Sequence, residues 1–89
     1  MVDHLLPSSD IPLNRHSLMS IERWLAQLGA EQSAEDLSLW NWEMPEWSAE
    51  IKIDQEELIV IWRCDVDRQC AFPYGLSRQD VEAALIQGP

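Results

Sequence analysis

The stretch of this 89-residue chain with the densest chemical potential is CDVDRQC, Cys64 to Cys70. Two thiols and two carboxylates are ligand types for a cation. Zinc sites, however, usually join a Cys-x₂₋₄-Cys pair to a second pair elsewhere. Five residues separate these cysteines, and His4 and His16 stand far off near the N-terminus. The pattern reads as a polar hairpin loop flanked by two buried thiols, with a cross-strand disulfide geometrically conceivable. A metal-dependent activity at this loop is an alternative reading, but no metal site or cofactor is expected. Catalysis needs a nucleophile beside a base. His16 precedes Ser17, yet neighbours in sequence do not make a dyad, and Ser17 is better explained as a helix cap. No GxSxG, HExxH, Walker-type loop or GxGxxG is present. Asp65 and Asp67 would serve as acid and base only inside a cleft. No catalytic residue and no enzymatic activity are expected.

The elements that would position these residues follow from periodicity. Residues 1–16 carry Pro7 and Pro12 among Ser8, Ser9, Asp10 and Asn14, which reads as an extended arm lying on the domain. From Ser17 the period becomes helical: Leu18, Ile21, Trp24, Leu25 and Leu28 form one apolar stripe, and Gly29 stands where a left-handed residue would stop the helix. Three strand-like segments follow, over 37–43, 47–53 and 58–64. The middle one alternates Trp47, Ala49, Ile51 and Ile53 with polar residues. The tail YGLSRQDVEAALIQGP is a helix with Ser77 and Asp80 at the Ncap and N3 places and Leu76 and Val81 as a hydrophobic staple. The expected fold is α+β: helix, three-stranded antiparallel meander, helix (αβββα), with both helices on one face of the sheet. It forms a single domain over 17–89 that follows the arm.

Three of the five tryptophans fall in LWNWEMPEW, Leu39 to Trp47, and hairpin parity decides where they point. With DQEE as a four-residue loop, Ile53 faces Leu58, Ile51 faces Val60 and Ala49 faces Trp62. With EMPE as another, Trp42 faces Trp47 and Trp40 faces Ala49, so the tryptophans share one side of the sheet. A two-residue loop at Pro45-Glu46 keeps that parity but is disfavoured, because primed hairpin turns need a positive φ that proline cannot adopt. A three-residue loop or a bulge would flip the first strand. With the tryptophans inside, the opposite face carries Leu37, Leu39, Ile59 and Ile61, with Lys52, Arg63 and Glu50 among them. Apolar patches of this kind mark an interface or are covered by other chain. The N-terminal arm, a partner protein or a second copy of the chain are each candidates to cover it.

Charge narrows the partner. Sixteen acids against six bases leave a formal charge of −10, and between Glu31 and Glu57 the single base is Lys52. A phosphate backbone repels such a surface, so nucleic-acid and anionic-membrane binding are disfavoured. The excess of acids reads first as solubility, and its functional reading is a surface for a basic protein partner. Helix, three strands, helix is also the order of double-stranded-RNA-binding domains. Those need basic residues at the start of the last helix, where this chain reads SRQD. No apolar run reaches the roughly 20 residues a bilayer crossing requires, and the N-terminus lacks a secretory pattern. A cytoplasmic location with reduced thiols is therefore expected.

Two segments, PLNRHSLMSIERWLAQLGA (Pro12 to Ala30) and YGLSRQDVEAALIQGP (Tyr74 to Pro89), resemble a family of small cyanobacterial and chloroplast proteins known as domain of unknown function 3143. The resemblance covers almost the whole chain, although no single motif in it is chemically diagnostic. It brings no catalytic residues, and it implies a cyanobacterial cytoplasm or chloroplast stroma. The expected function is a non-enzymatic protein-binding module, a small assembly or regulatory factor. It would dock through Leu37, Leu39, Lys52, Ile59, Ile61 and Arg63, and the alternative is a homodimer formed through the same face.

Overall fold

A computed structural model describes residues 8–89. The order of elements is a single 3₁₀ turn (Leu13–Arg15), α1 (Leu18–Leu28), β1 (Glu31–Gln32), β2 (Leu39–Glu43), β3 (Ser48–Ile53), β4 (Glu57–Arg63), β5 (Arg68–Pro73) and α2 (Arg78–Gln87). The class is α+β, but the sheet has five antiparallel strands in sequential order rather than the three expected. The added strands are the two edges. β1 pairs Glu31 with Asn41 and Gln32 with Trp40, and β5 runs from Trp62↔Arg68 to Glu57↔Pro73. Both escaped the sequence reading for one reason. β1 buries neither residue and β5 fully buries only Phe72, so neither shows the alternation that marks a half-buried strand.

The helices start and stop where their capping residues lie. Ser17 Oγ accepts the Ser20 N–H at 3.0 Å and opens α1. Gly29, at φ 105°, closes it. The Gly29 N–H bonds Ala26 C=O, and the Ala30 N–H reaches back to Leu25 C=O, the double closure of a Schellman motif. Ser77 Oγ accepts the Asp80 N–H at 3.2 Å to open α2. The described part of the arm runs alongside residues 74–79. Leu13 N–H bonds Leu76 C=O, Asn14 N–H bonds Tyr74 C=O, and Gln79 N–H bonds Ser9 C=O. Leu13 itself is buried in the core, so this part of the arm packs onto the domain. Leu5, Leu6 and Pro7 of the proposed arm lie outside the described residues.

Register follows the expected parity, with one shift. β3 and β4 pair as expected: Ile53↔Leu58, Ile51↔Val60, Ala49↔Trp62. β2 and β3 pair two residues further along, Trp42↔Ala49 and Trp40↔Ile51, which is the register of the disfavoured loop with Pro45 and Glu46 at its tip. Among the described residues no non-glycine φ is positive, so the tip does not use a primed turn. Met44 N–H bonds Trp47 C=O at 2.8 Å, and Asp54 N–H bonds Glu57 C=O at 3.1 Å in the next hairpin. A shift of two leaves every side chain on its side of the sheet. Trp40, Trp42 and Trp62 are therefore buried, and the small Ala49 sits between Trp42 and Trp62 rather than between Trp40 and Trp62. Trp47 precedes β3 instead of belonging to it, is half-buried, and meets Trp42 edge-to-face at a centroid distance of 5.3 Å.

One core results. Ile21, Trp24 and Leu25 of α1, Val81 and Leu85 of α2, and Leu13 join the inward face of the sheet. The two helices are also tied to each other, because Trp24 Nε1–H donates to Glu82 Oε1 at 2.7 Å. Trp42 Nε1–H donates to Leu28 C=O at 3.1 Å and fastens the end of α1 to β2. No described helix is long and apolar enough to cross a membrane.

Candidate functional site

Alternation along the strands sends a second set of residues to the other face. Two rows cross it: Leu39, Lys52, Ile59 and Ala71, then Asn41, Glu50, Ile61 and Gln69. Beyond them Arg63 lies opposite Ser48. Because the buried residues of both helices belong to the tryptophan side, no described element covers this face. Ile59, Ile61 and Leu39 are half-buried.

Five of the six expected site residues thus come together: Leu39, Lys52, Ile59, Ile61 and Arg63. Arg63 is not a free cation there. Its guanidinium donates through Nη1 to Asp67 Oδ2 at 2.7 Å and through Nη2 to Glu50 Oε1 at 3.1 Å, and these carboxylates, Asp67 first, raise its pKa above the ordinary value. Lys52 has no ion-pair partner among the described residues. The sixth residue, Leu37, does not join them. It occupies the turn before β2, is 65% exposed, and faces the helix side.

There it lines an open groove of about 530 Å³ with Leu18, Glu22, Gln32, Ser38 and Ile53. Leu18 was expected in the buried stripe of α1, but it is 59% exposed, and Met19 beside it is 65% exposed. The first turn of the stripe is thus left open, while Ile21, Trp24 and Leu25 are buried. The loop between β1 and β2 is held by its own side chains. Gln32 Nε2–H donates to Leu37 C=O at 2.7 Å and reaches Glu22 Oε2 at 3.4 Å. The N–H groups of Glu35 and Asp36 both reach Ser33 Oγ. Ser38 donates its hydroxyl and its N–H to Asp36 Oδ1 at 2.7 and 3.0 Å, and these bonds, the hydroxyl first, hold the Asp36 carboxyl below its ordinary pKa. Sequence reasoning missed this groove because it depends on β1, which brings Gln32 under Leu37. A smaller cavity of about 300 Å³ lies at the other end, between the Met44–Trp47 hairpin and the last turn of α2.

The chemistry weighed at the start takes definite positions. Cys64 is exposed and donates its Sγ–H to Val66 C=O, while Cys70 is half-buried opposite Val60. The two thiols are therefore not the buried pair expected. Among the described residues no group of three or more His, Cys, Asp or Glu side chains could hold a metal ion. His16 is buried, and its Nε2–H donates to Ile11 C=O at 3.2 Å, while the Ser17 hydroxyl bonds Ser20.

Compared with known proteins, residues 28–88 match the family model described as "Protein of unknown function (DUF3143)". The match includes all five strands and α2 but only the last residue of α1, so most of the first segment that suggested the resemblance lies ahead of it. No curated protein and no solved structure matches the chain.

Proposed function

The chain belongs to the DUF3143 family of proteins of unknown function, and on that premise we propose that it is a non-enzymatic protein-binding module whose open sheet face docks a partner. The observation that carries the reading is the two-sided character of β4. Leu58, Val60 and Trp62 point into the core, whereas Ile59 and Ile61 point onto a face without a described cover. Ile59 and Ile61 side by side on β4, flanked by Lys52, Glu50 and the Arg63 ion pairs, have the layout of an interface, with an apolar centre and a charged rim. The net charge of −10 opposes a second copy of the same chain and attracts a basic partner. The setting we propose, a cyanobacterial cytoplasm or chloroplast stroma with a role in assembly or regulation, rests on the motif resemblance alone.

The test is partner capture by the full chain and by the Ile59→Glu, Ile61→Glu double variant. The expected result is a partner retained by the wild type, released by the variant, and a variant with unchanged circular dichroism. An unfolded variant would place both isoleucines in the interior and defeat the proposal, as would a folded variant that keeps the partner. Sedimentation at micromolar concentration should give a monomer; a dimer that the double variant dissolves would put a second copy of the chain on this face instead.

A further inference from the structure

We propose that the groove between α1 and the β1–β2 loop is a second docking site, one that takes a basic amphipathic segment of a partner protein. It is separate from the sheet face and independent of the function proposed for it.

The apolar part of the recognition is already presented. Leu18 and Leu37 face each other across a space of about 530 Å³ with Ile53 as a further wall. They are two of the six large apolar side chains that are clearly exposed among the described residues. Such exposure costs free energy in water. It is not the slack of a loose loop, because the Gln32 amide and the Ser33, Asp36 and Ser38 bonds hold Leu37 in its outward position. A preformed wall loses little entropy when a ligand orders against it.

The polar part selects the partner. Glu22 lies in the groove, Glu31, Glu35 and Asp36 belong to the strand and loop beside it, and no lysine or arginine occurs between Arg23 and Lys52. Asp36, stabilised as a carboxylate by Ser38, stays anionic at neutral pH. Two leucines bracketed by carboxylates match a helix with leucine at three- and four-residue steps and lysine or arginine on its flanks. An acidic segment, including a second copy of this chain at −10, meets like charge there.

The probe is a synthetic leucine/lysine amphipathic peptide, titrated into the full chain and followed by amide chemical shifts. One-to-one saturable binding is expected, with the largest shifts at Leu18, Glu22, Gln32, Leu37 and Ile53. The Leu18→Ser, Leu37→Ser variant should weaken binding about tenfold or more. It should stay folded, since both side chains already face water. Val66→Ser, which removes an equally exposed apolar residue from the β4–β5 loop, should bind like the wild type. A scrambled peptide of identical composition, and one with glutamine for lysine, should each bind at least about tenfold more weakly. The proposal is overturned by equal binding of either control peptide, by no binding of the probe, or by shifts centred on Ile59 and Ile61. Loss of the fold in the double serine variant would also overturn it, by showing that these leucines are structural. Because the sheet-face test uses other residues, either proposal can fail while the other stands.

Discussion

Two faces of one strand differ more than their residues do. On β4, Leu58, Val60 and Trp62 alternate with Ile59 and Ile61, and the aliphatic members of the two sets are of comparable size and hydrophobicity. The first three are buried under α1 and α2, and the isoleucines stay half-exposed. Burial at these positions is thus decided by what covers the sheet, not by residue type. A face that keeps aliphatic side chains without a described cover is the surface on which the proposed docking rests.

The sharpest way to break this comparison is to place a charge on each face in turn. Val60→Asp puts an unpaired carboxylate into a fully buried position and should cost more than about 4 kcal/mol, enough to unfold a marginal domain. Ile61→Asp should cost only about 1 kcal/mol, as a substitution with water on one side. Urea denaturation of the pair measures the gap, and equal losses would mean that the open face is covered after all. Cavity formation probes the closed face more gently: Leu58→Ala should cost about 2–5 kcal/mol, again by urea melt.

Smaller effects test the cover itself. Trp24→Phe removes the indole N–H that bonds Glu82 and unties the two helices, for about 1.5–3 kcal/mol in thermal or chemical unfolding. Gly88 ends α2 at φ 84° and ψ −164°, where a Cβ would meet Trp47 Nε1 at 2.7 Å. Gly88→Ala should therefore cost about 1–3 kcal/mol, whereas at Gly75 an added Cβ meets nothing and Gly75→Ala should be close to neutral. Least of all is a pH effect at the end of the sheet. Burial, and next the charge of Asp54, raise the Tyr74 pKa, and its phenol donates to Asp54 C=O. The unfolded chain then ionises first. The Tyr74 contribution is complete below the unfolded value of about 10 and is lost as pH rises through the higher folded value. Tyr74→Phe should flatten the alkaline limb of a stability–pH profile.

How much of this was legible before folding depended on the range of the interaction involved. α1 runs over Leu18–Leu28 as its stripe and caps predicted, and Ser77 opens α2, because capping is settled within one turn of chain. The tryptophans face inward because hairpin parity is also local, and even a two-residue slip between β2 and β3 could not expose them. The candidate docking face was legible for the same reason, apart from Leu37, which belongs to the turn before the strand and to the groove.

The amino-acid order alone determined which helices form and which side of the meander is dry, since periods of 3.6 and 2 are properties of neighbouring residues. Only the assembled structure added β1 and β5, whose backbone partners lie on β2 and β4 and whose own side chains carry almost no pattern. It alone left Leu18 and Leu37 bare on opposite walls of a groove. Whether an apolar side chain finds a neighbour is settled by surfaces that meet across the fold, and no local pattern records that meeting.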